Sequence, residues 1–345
     1  MSAHDAATTS SPTPRIAALR RWAWAGASGL VYLLMTAWAT LAIYFSNLPW
    51  EWPRAVLAAG FAAFAVWAWM IARRRCWRWG AVGLFAAVVV WFALIPPRQD
   101  RPWRADVAVL PRVVIQRDHV KIENVRNFAF QSRHDFEVRY EERSFSLAHV
   151  DSMDLFISYW RLGPIAHTFV SFNFDDGTPP LCISIETRPE VGEAFDPLAS
   201  MFKQFELIYV VGDEQDLVGW RASHRHEEVF CYRIVADREG VRRLLEMYLG
   251  RINDLADRPE WYHLLSNSCT VNIFRHANSA GRARQLDLRH FLNGWVDHYL
   301  YEAGRIDTSM PFEELRQRSR ITDAARSAAD SPEFSTLIRQ GLPMP

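Results

Sequence analysis

An excess of charge of either sign is missing from this chain. Lys and Arg number 39 and Asp and Glu 39, a formal net charge of +0 over 345 residues. Nucleic-acid binders carry a basic stripe, so nucleic acid is not an expected partner. Internal repeats and long low-complexity segments are also absent. So are HExxH, a Walker loop and GxSxG, which removes the sequence grounds for a zinc protease, a P-loop NTPase or a serine nucleophile elbow. His224-Arg-His226 has no carboxylate or third His at metal-site spacing and reads as a solvated loop. No metal or other cofactor is expected.

The chain does have long apolar runs. Trp22–Phe45 contains no charged residue, and a run of about 20 spans a bilayer. Ala55–Ala72 and Trp79–Ile95 are a second and a third. A cleaved signal peptide would have a shorter apolar region with no spans after it. Buried core helices would not come three in a row, flanked by Trp and joined by short polar loops. Residues 1–21 are predicted as a disordered cytoplasmic tail, the first 14 being rich in Ser, Thr, Ala and Pro. Residues 22–95 are the membrane segment, 96–111 a linker, and 112–345 a soluble domain. Arg15, Arg20 and Arg21 precede the first span, and Arg73, Arg74, Arg75 and Arg78 lie between the second and third. The loop from Ser46 to Arg54 offers only Arg54. The positive-inside rule puts the N-terminus in the cytoplasm and the C-terminal domain in the periplasm of a bacterial inner membrane. Arg98, Arg101 and Arg104 after the third span run against that bias. Six tryptophans (Trp22, Trp24, Trp50, Trp52, Trp77 and Trp79) fall at span ends, where indoles favour the headgroup layer.

In the outer domain Val113–Ile115 is a short β-branched run, and Ser144–Leu147 and Asp151–Tyr159 read as extended or loop segments. Ile165–Phe172, the turn signal Asp175-Asp-Gly and Leu181–Glu186 predict a hairpin. Glu206–Val211 and Val229–Ile234 are further strands. After Asp237 the period becomes helical, with Val241, Leu244, Leu245, Tyr248, Ile252 and Leu255 on one face. A helix is expected to start at Asn267 or Ser268, and another to run from Arg289 to Ala303, stopped by Gly304. Strands in one half and helices in the other predict an α+β domain with an antiparallel sheet.

Three cysteines fall in that domain, Cys182, Cys231 and Cys269, and Cys76 lies in the loop between spans two and three. An odd number in an oxidising compartment leaves one thiol over. Cys269, in Asn267-Ser-Cys-Thr-Val-Asn at a helix start, is the candidate. The unpaired N–H groups and partial positive charge there lower a thiol pKa and can receive an oxyanion. A thiol nucleophile needs a base, and His167 lies in the first hairpin strand. If the hairpin pairs Phe172 with Leu181, His167 faces Glu186, which could orient the imidazole. Ser184 and Asn173 are alternatives for that role. Asn267, Ser268 and Tyr262 complete the candidate set. The plain alternative is a structural His beside a Cys acting as a small apolar residue.

Several segments together resemble one bacterial family: Arg126-Asn-Phe, Asp135-Phe-Glu-Val-Arg-Tyr, Ala166-His-Thr-Phe-Val-Ser-Phe, Ser184-Ile-Glu-Thr-Arg, Glu206-Leu-Ile-Tyr-Val-Val, Asn267-Ser-Cys-Thr-Val-Asn-Ile and Asn293-Gly. The family is named for the N-terminal periplasmic domain of Lnb, a lipoprotein N-acyltransferase. The order of His on a strand and then Cys at a helix also resembles the permuted papain-like fold of lecithin:retinol acyltransferase. In the family the nucleophile motif has Asn directly before Cys. Here Ser268 intervenes, and Val271 stands where a second Thr is common. The resemblance implies a membrane-anchored thiol acyltransferase working through a thioester, with the phospholipid bilayer and lipoprotein N-termini as partners. A periplasmic cysteine hydrolase, a peptidase or amidase of the cell envelope, stays open. So does a non-enzymatic envelope domain.

Overall fold

The computed structural model describes residues 14–46, 48, 50–279, 289 and 293–344. The chain divides into two compact units, meeting between Pro96 and Pro97.

The first unit is three helices. α1 spans Pro14–Tyr44, α2 spans Glu51–Val66 and runs on as a π-helix over Trp67–Ile71, and α3 spans Arg75–Leu94. Their apolar stretches are 27, 21 and 20 residues long. At 1.5 Å per residue each can cross a hydrocarbon core of about 30 Å. α1 starts earlier than expected: residues 14–21 are helical rather than a free tail, with Pro as the first helical residue, a position that suits it. Residues 1–13 lie outside the described residues. Tyr32 ties α1 to α2, its hydroxyl donating to the Ala65 carbonyl at 3.0 Å and its ring stacking on Trp69. The six end tryptophans are exposed.

The second unit is a mixed α/β domain. Its strands are β1 (Arg112–Gln116), β2 (His119–Arg126), a small pair β3 (Ala129–Phe130) and β4 (Phe136–Glu137), β5 (Tyr140–Ser146) and β6 (Val150–Tyr159). β7 (His167–Phe174), β8 (Leu181–Arg188), β9 (Glu206–Gly212) and β10 (Glu228–Arg233) follow. The main sheet runs β1-β2-β9-β8-β7-β6-β10, with β5 also on β2. Every pairing is antiparallel except β2 with β9, which meet at Arg126 and Gly212. A Cβ at Gly212 would lie 3.0 Å from the Arg126 carbonyl oxygen, so that contact selects glycine. The hairpin register is the expected one, Phe172 facing Leu181. β5 and β6 are regular strands where the pattern left extended or loop segments open.

The helices are α4 (Arg238–Asp257), α5 (Cys269–Ser279), α6 (Val296–Glu302), α7 (Phe312–Arg318), α8 (Thr322–Ser327) and α9 (Phe334–Leu337). α4 is capped by Asp237, whose carboxylate accepts from the Gly240 N–H at 2.8 Å, and it buries the expected apolar face. Successive side chains of β7 go to opposite faces. Phe169 packs with Phe156 against a π-helix over Gln215–His224 and against α8 and α9, while Phe172 meets Tyr248 of α4. The sheet therefore has cover on both faces. The Asn267-or-Ser268 helix begins at Cys269. The helix expected from Arg289 is, among the described residues, a 3-10 turn over Asn293–Trp295 followed by α6; residues 290–292 lie outside them. Gly304, at φ +61, ends it as expected.

The expected linker 96–111 is largely part of the domain. The Arg98 N–H donates to Glu206 at 3.0 Å, Gln99 donates to the Leu255 carbonyl at 2.9 Å, and the Arg188 guanidinium lies 4.3 Å over Trp103. Val107 joins the core. A segment able to bury apolar side chains and satisfy its own backbone does not stay a free tether.

Candidate active site

Four strand ends meet at one end of the sheet: the close of β6 and β8 and the start of β7 and β9. His167 is the first residue of β7, beside Ser158 of β6. Cys269 is the first residue of α5, and the Ser268 carbonyl accepts the first helical bond, from the Asn272 N–H at 3.0 Å. The sulfur thus sits where helix N–H groups are unpaired and the dipole is positive.

The two side chains come together. His167 and Cys269 line the same cavity, and the sulfur's own contacts are Thr270 Oγ1 and Asn293 Nδ2, both at 3.7 Å. Burial alone would raise the thiol pKa. The nearby charge of His167, with the polar groups of Thr168, outweighs burial and brings it down to about 6. The other two cysteines of the domain behave oppositely. Cys182 and Cys231 are free, lie in the core, and are pushed well up by burial. They are inert by burial rather than bridged.

His167 Nε2 meets Ser184 Oγ at 2.7 Å, while Glu186 stands 3.9 Å away. The expected direct contact with Glu186 is thus replaced by Ser184, the alternative. The reason is competition. Glu186 accepts from Arg221 Nη2 at 2.8 Å, and Arg221 is buried with its guanidinium 4.8 Å over Phe169. Ser184 also lies near enough to Glu186 to help keep the carboxylate ionised. Burial would raise the Glu186 carboxyl; Arg221, His167 and Arg126 outweigh it and hold it well below the ordinary range. The ring itself stacks at 5.6 Å on Phe169. Asn173, the other alternative, donates to Asp154 instead.

Asn267 is a brace rather than a first contact of the sulfur. Its amide donates to the Trp261 carbonyl at 2.8 Å, and its oxygen accepts from Asn272 and Arg275. Ser268 is buried at the helix start. Tyr262 is buried, its hydroxyl pushed well up by burial and bonded to the Cys269 backbone.

Asn293 was not singled out as a site residue from the sequence. Its Nδ2 lies 3.7 Å from Cys269 Sγ, and the same amide pairs with both backbone groups of Ala166. The available signal was its neighbour. A Cβ on Gly294 would fall 2.0 Å from the Gly163 carbonyl oxygen, so an Asn-Gly pair marked a close crossing of two chains. Arg221 and the Thr168–Thr270 hydroxyl pair, 2.8 Å apart, were also missed. Arg221 shares no local pattern with Cys269, whereas Thr168 and Thr270 directly follow His167 and Cys269 in the chain.

A cavity of about 600 Å³ opens over the pair. Trp160, Ile165, Ile185, Phe195, Leu264 and Leu265 give it apolar walls, and Glu186, Arg221, Arg225 and Glu227 a charged floor whose formal charges cancel. Among the described residues no cluster of three or more metal-binding side chains occurs. The arrangement can deprotonate a thiol, hold the imidazole, and offer donors beside the sulfur to a developing oxyanion.

Residues 136–300 match the family model of the Lnb N-terminal periplasmic domain, a span that includes both His167 and Cys269. The match agrees with the resemblance that the motifs carry. No curated protein and no solved structure matches the chain. With its three apolar spans this is a membrane protein carrying a periplasmic domain.

Proposed function

We propose that the protein is a membrane-anchored thiol acyltransferase. Cys269 Sγ attacks an ester carbonyl of a phospholipid as its proton passes to His167. Because Nε2 faces Ser184, Nδ1 is the nitrogen that takes this proton. Asn293 Nδ2 and the helix N-terminus receive the oxyanion. Collapse expels the lysophospholipid alkoxide, which leaves with the proton from His167, and a thioester remains. An amine, such as a lipoprotein N-terminus, then attacks the thioester. His167 takes its proton, the C–S bond breaks, and the thiolate returns.

The observation that carries this reading is the placing of Cys269, at the start of α5, and His167 in one cavity walled by aromatic and aliphatic side chains, where the thiol is drawn down to about 6. The thioester has to outlive water at roughly 55 M, which favours apolar walls. Anchoring in the bilayer supports the donor assignment. Each CH₂ of an acyl chain costs about 0.8 kcal/mol to bring into water, so the enzyme works at the surface. The His-then-Cys order adds the papain-like parallel. The Arg asymmetry around the spans supports a cytoplasmic N-terminus in a bacterial inner membrane.

The test supplies acyl-labelled phospholipid to the protein in membranes, with and without a lipoprotein or peptide amine. Label should appear on Cys269 and move to the acceptor, and Cys269→Ala should abolish both. Free fatty acid or cleaved peptide with no acylated acceptor would make it the cysteine hydrolase. No modification of Cys269 and no turnover of any substrate would leave a non-enzymatic domain.

A further inference from the structure

The same end of the domain that holds the cavity has an exposed apolar rim. Trp160, Leu162, Ile165, Phe195, Leu198 and Leu265 are each between 38 and 58 % exposed. They come from three separate loops, residues 160–166, 189–205 and 258–268, which all lie at the sheet end where His167 begins β7. Trp160 and Phe195 stack across two of those loops with ring centroids 6.0 Å apart. Scattered exposed apolar residues need no explanation, but a contiguous set around one opening does.

The chain also enters the domain at this end. Arg98 bonds Glu206, the first residue of β9, which faces Arg188 at the close of β8 and bridges to Trp261. Leu94 closes α3, so only the residues between 94 and 98 tether the domain to its last span. Arg161, exposed between Trp160 and Leu162, supplies a cation of the sign that phospholipid phosphates attract. Trp is enriched at the headgroup layer.

We propose that this rim is a membrane-docking face. Trp160, Leu162, Ile165, Phe195, Leu198 and Leu265 enter the headgroup and upper acyl layer of the bilayer that the spans cross, and Arg161 meets lipid phosphate. The mouth of the cavity then opens into lipid, and an acyl chain reaches Cys269 without crossing water. Docking stands on the surface alone. Its use for donor delivery rests on the thioester reading.

The test uses the full chain in proteoliposomes of phosphatidylethanolamine and phosphatidylglycerol. Cys76, the exposed cysteine, and the reactive Cys269 are first removed from the labelled chains as Cys76→Ser and Cys269→Ser. Nitroxide labels then go on Leu162→Cys or Leu198→Cys, with Asp176→Cys in the β7–β8 turn at the opposite sheet end as the aqueous control. Labels at 162 and 198 should collide with oxygen and be shielded from a water-soluble nickel chelate, and the label at 176 should show the reverse. If the rim labels behave like the one at 176, docking is overturned, whatever the chemistry. A Leu162→Asp/Leu198→Asp double variant, neither position lining the cavity, gives the second readout. Acyl loading of Cys269 from bilayer lipid should fall by about tenfold or more, while its alkylation by a soluble reagent stays as in the parent. Loading at the parental rate would overturn the delivery role. Absence of loading in the parent itself would reject the thioester and leave the depth result to decide docking.

Discussion

Removing the His167 ring tests the thiol–imidazole pair most directly. Lowering the Cys269 thiol from 9.0 to about 6 means the folded site prefers the thiolate by about 4 kcal/mol. In His167→Ala the largest lowering influence is lost and burial remains, so the thiol returns to 9 or above. At pH 7 the thiolate fraction then falls from about nine-tenths to about one-hundredth. That is not the fall in rate. A less acidic thiol gives a more reactive thiolate, and a Brønsted slope of about 0.45 returns about twentyfold. Alkylation at pH 7 should therefore drop only about fourfold, a change easily mistaken for a packing effect. The pH dependence is the decisive readout. Iodoacetamide incorporation at Cys269, followed by mass spectrometry from pH 5 to 10, should have its midpoint near 6 in the parent. In the variant it should move up by about three pH units. A variant midpoint still near 6 would refute the assignment of His167 as the partner and leave the helix N-terminus as the cause.

Asn293→Ala removes the donor 3.7 Å from the sulfur; acyl loading should slow by about a hundredfold with the alkylation midpoint unmoved, and a parental loading rate would reject an oxyanion role. Arg126→Ala leaves Asp216 without its bidentate partner, held at 3.0 and 2.7 Å in a buried pair; unfolding in detergent should show a loss of about 3–5 kcal/mol, and a change within error would mean water replaces the guanidinium. A reporter active only in the periplasm, fused after Pro345, should be active, and activity only of a cytoplasmic reporter there would reverse the topology.

The parts legible in the sequence were those set by local pattern. Apolar length announced the three helices, and the alternation around Asp175–Gly177 set the hairpin register that puts His167 and Glu186 at matching positions. Cys269 was legible from its place before an amphipathic run. The sequence could not show that Arg221 would claim Glu186, because their contact joins a strand to a π-helix 35 residues on. Ser184, the lesser alternative in the pattern, takes the ring for that reason. Asn293 reaches the sulfur only because Gly294 lets two chains cross within contact distance. The belt from Arg98 to Val107 looked like a linker because its few apolar residues have no period; they bury singly, against elements distant in sequence.

The acidity of Cys269 is assembled from two pieces of chain about a hundred residues apart, β7 and the start of α5. This gives the protein a form of timing. A chain still being exported carries three ordinary thiols in its outer domain, each with a pKa near 8.5 and mostly protonated at neutral pH. Two of them are sealed as the sheet closes. The third gains its imidazole only when α5 docks on β7, a long-range contact of the kind that forms late. The acidic thiolate therefore marks the end of folding.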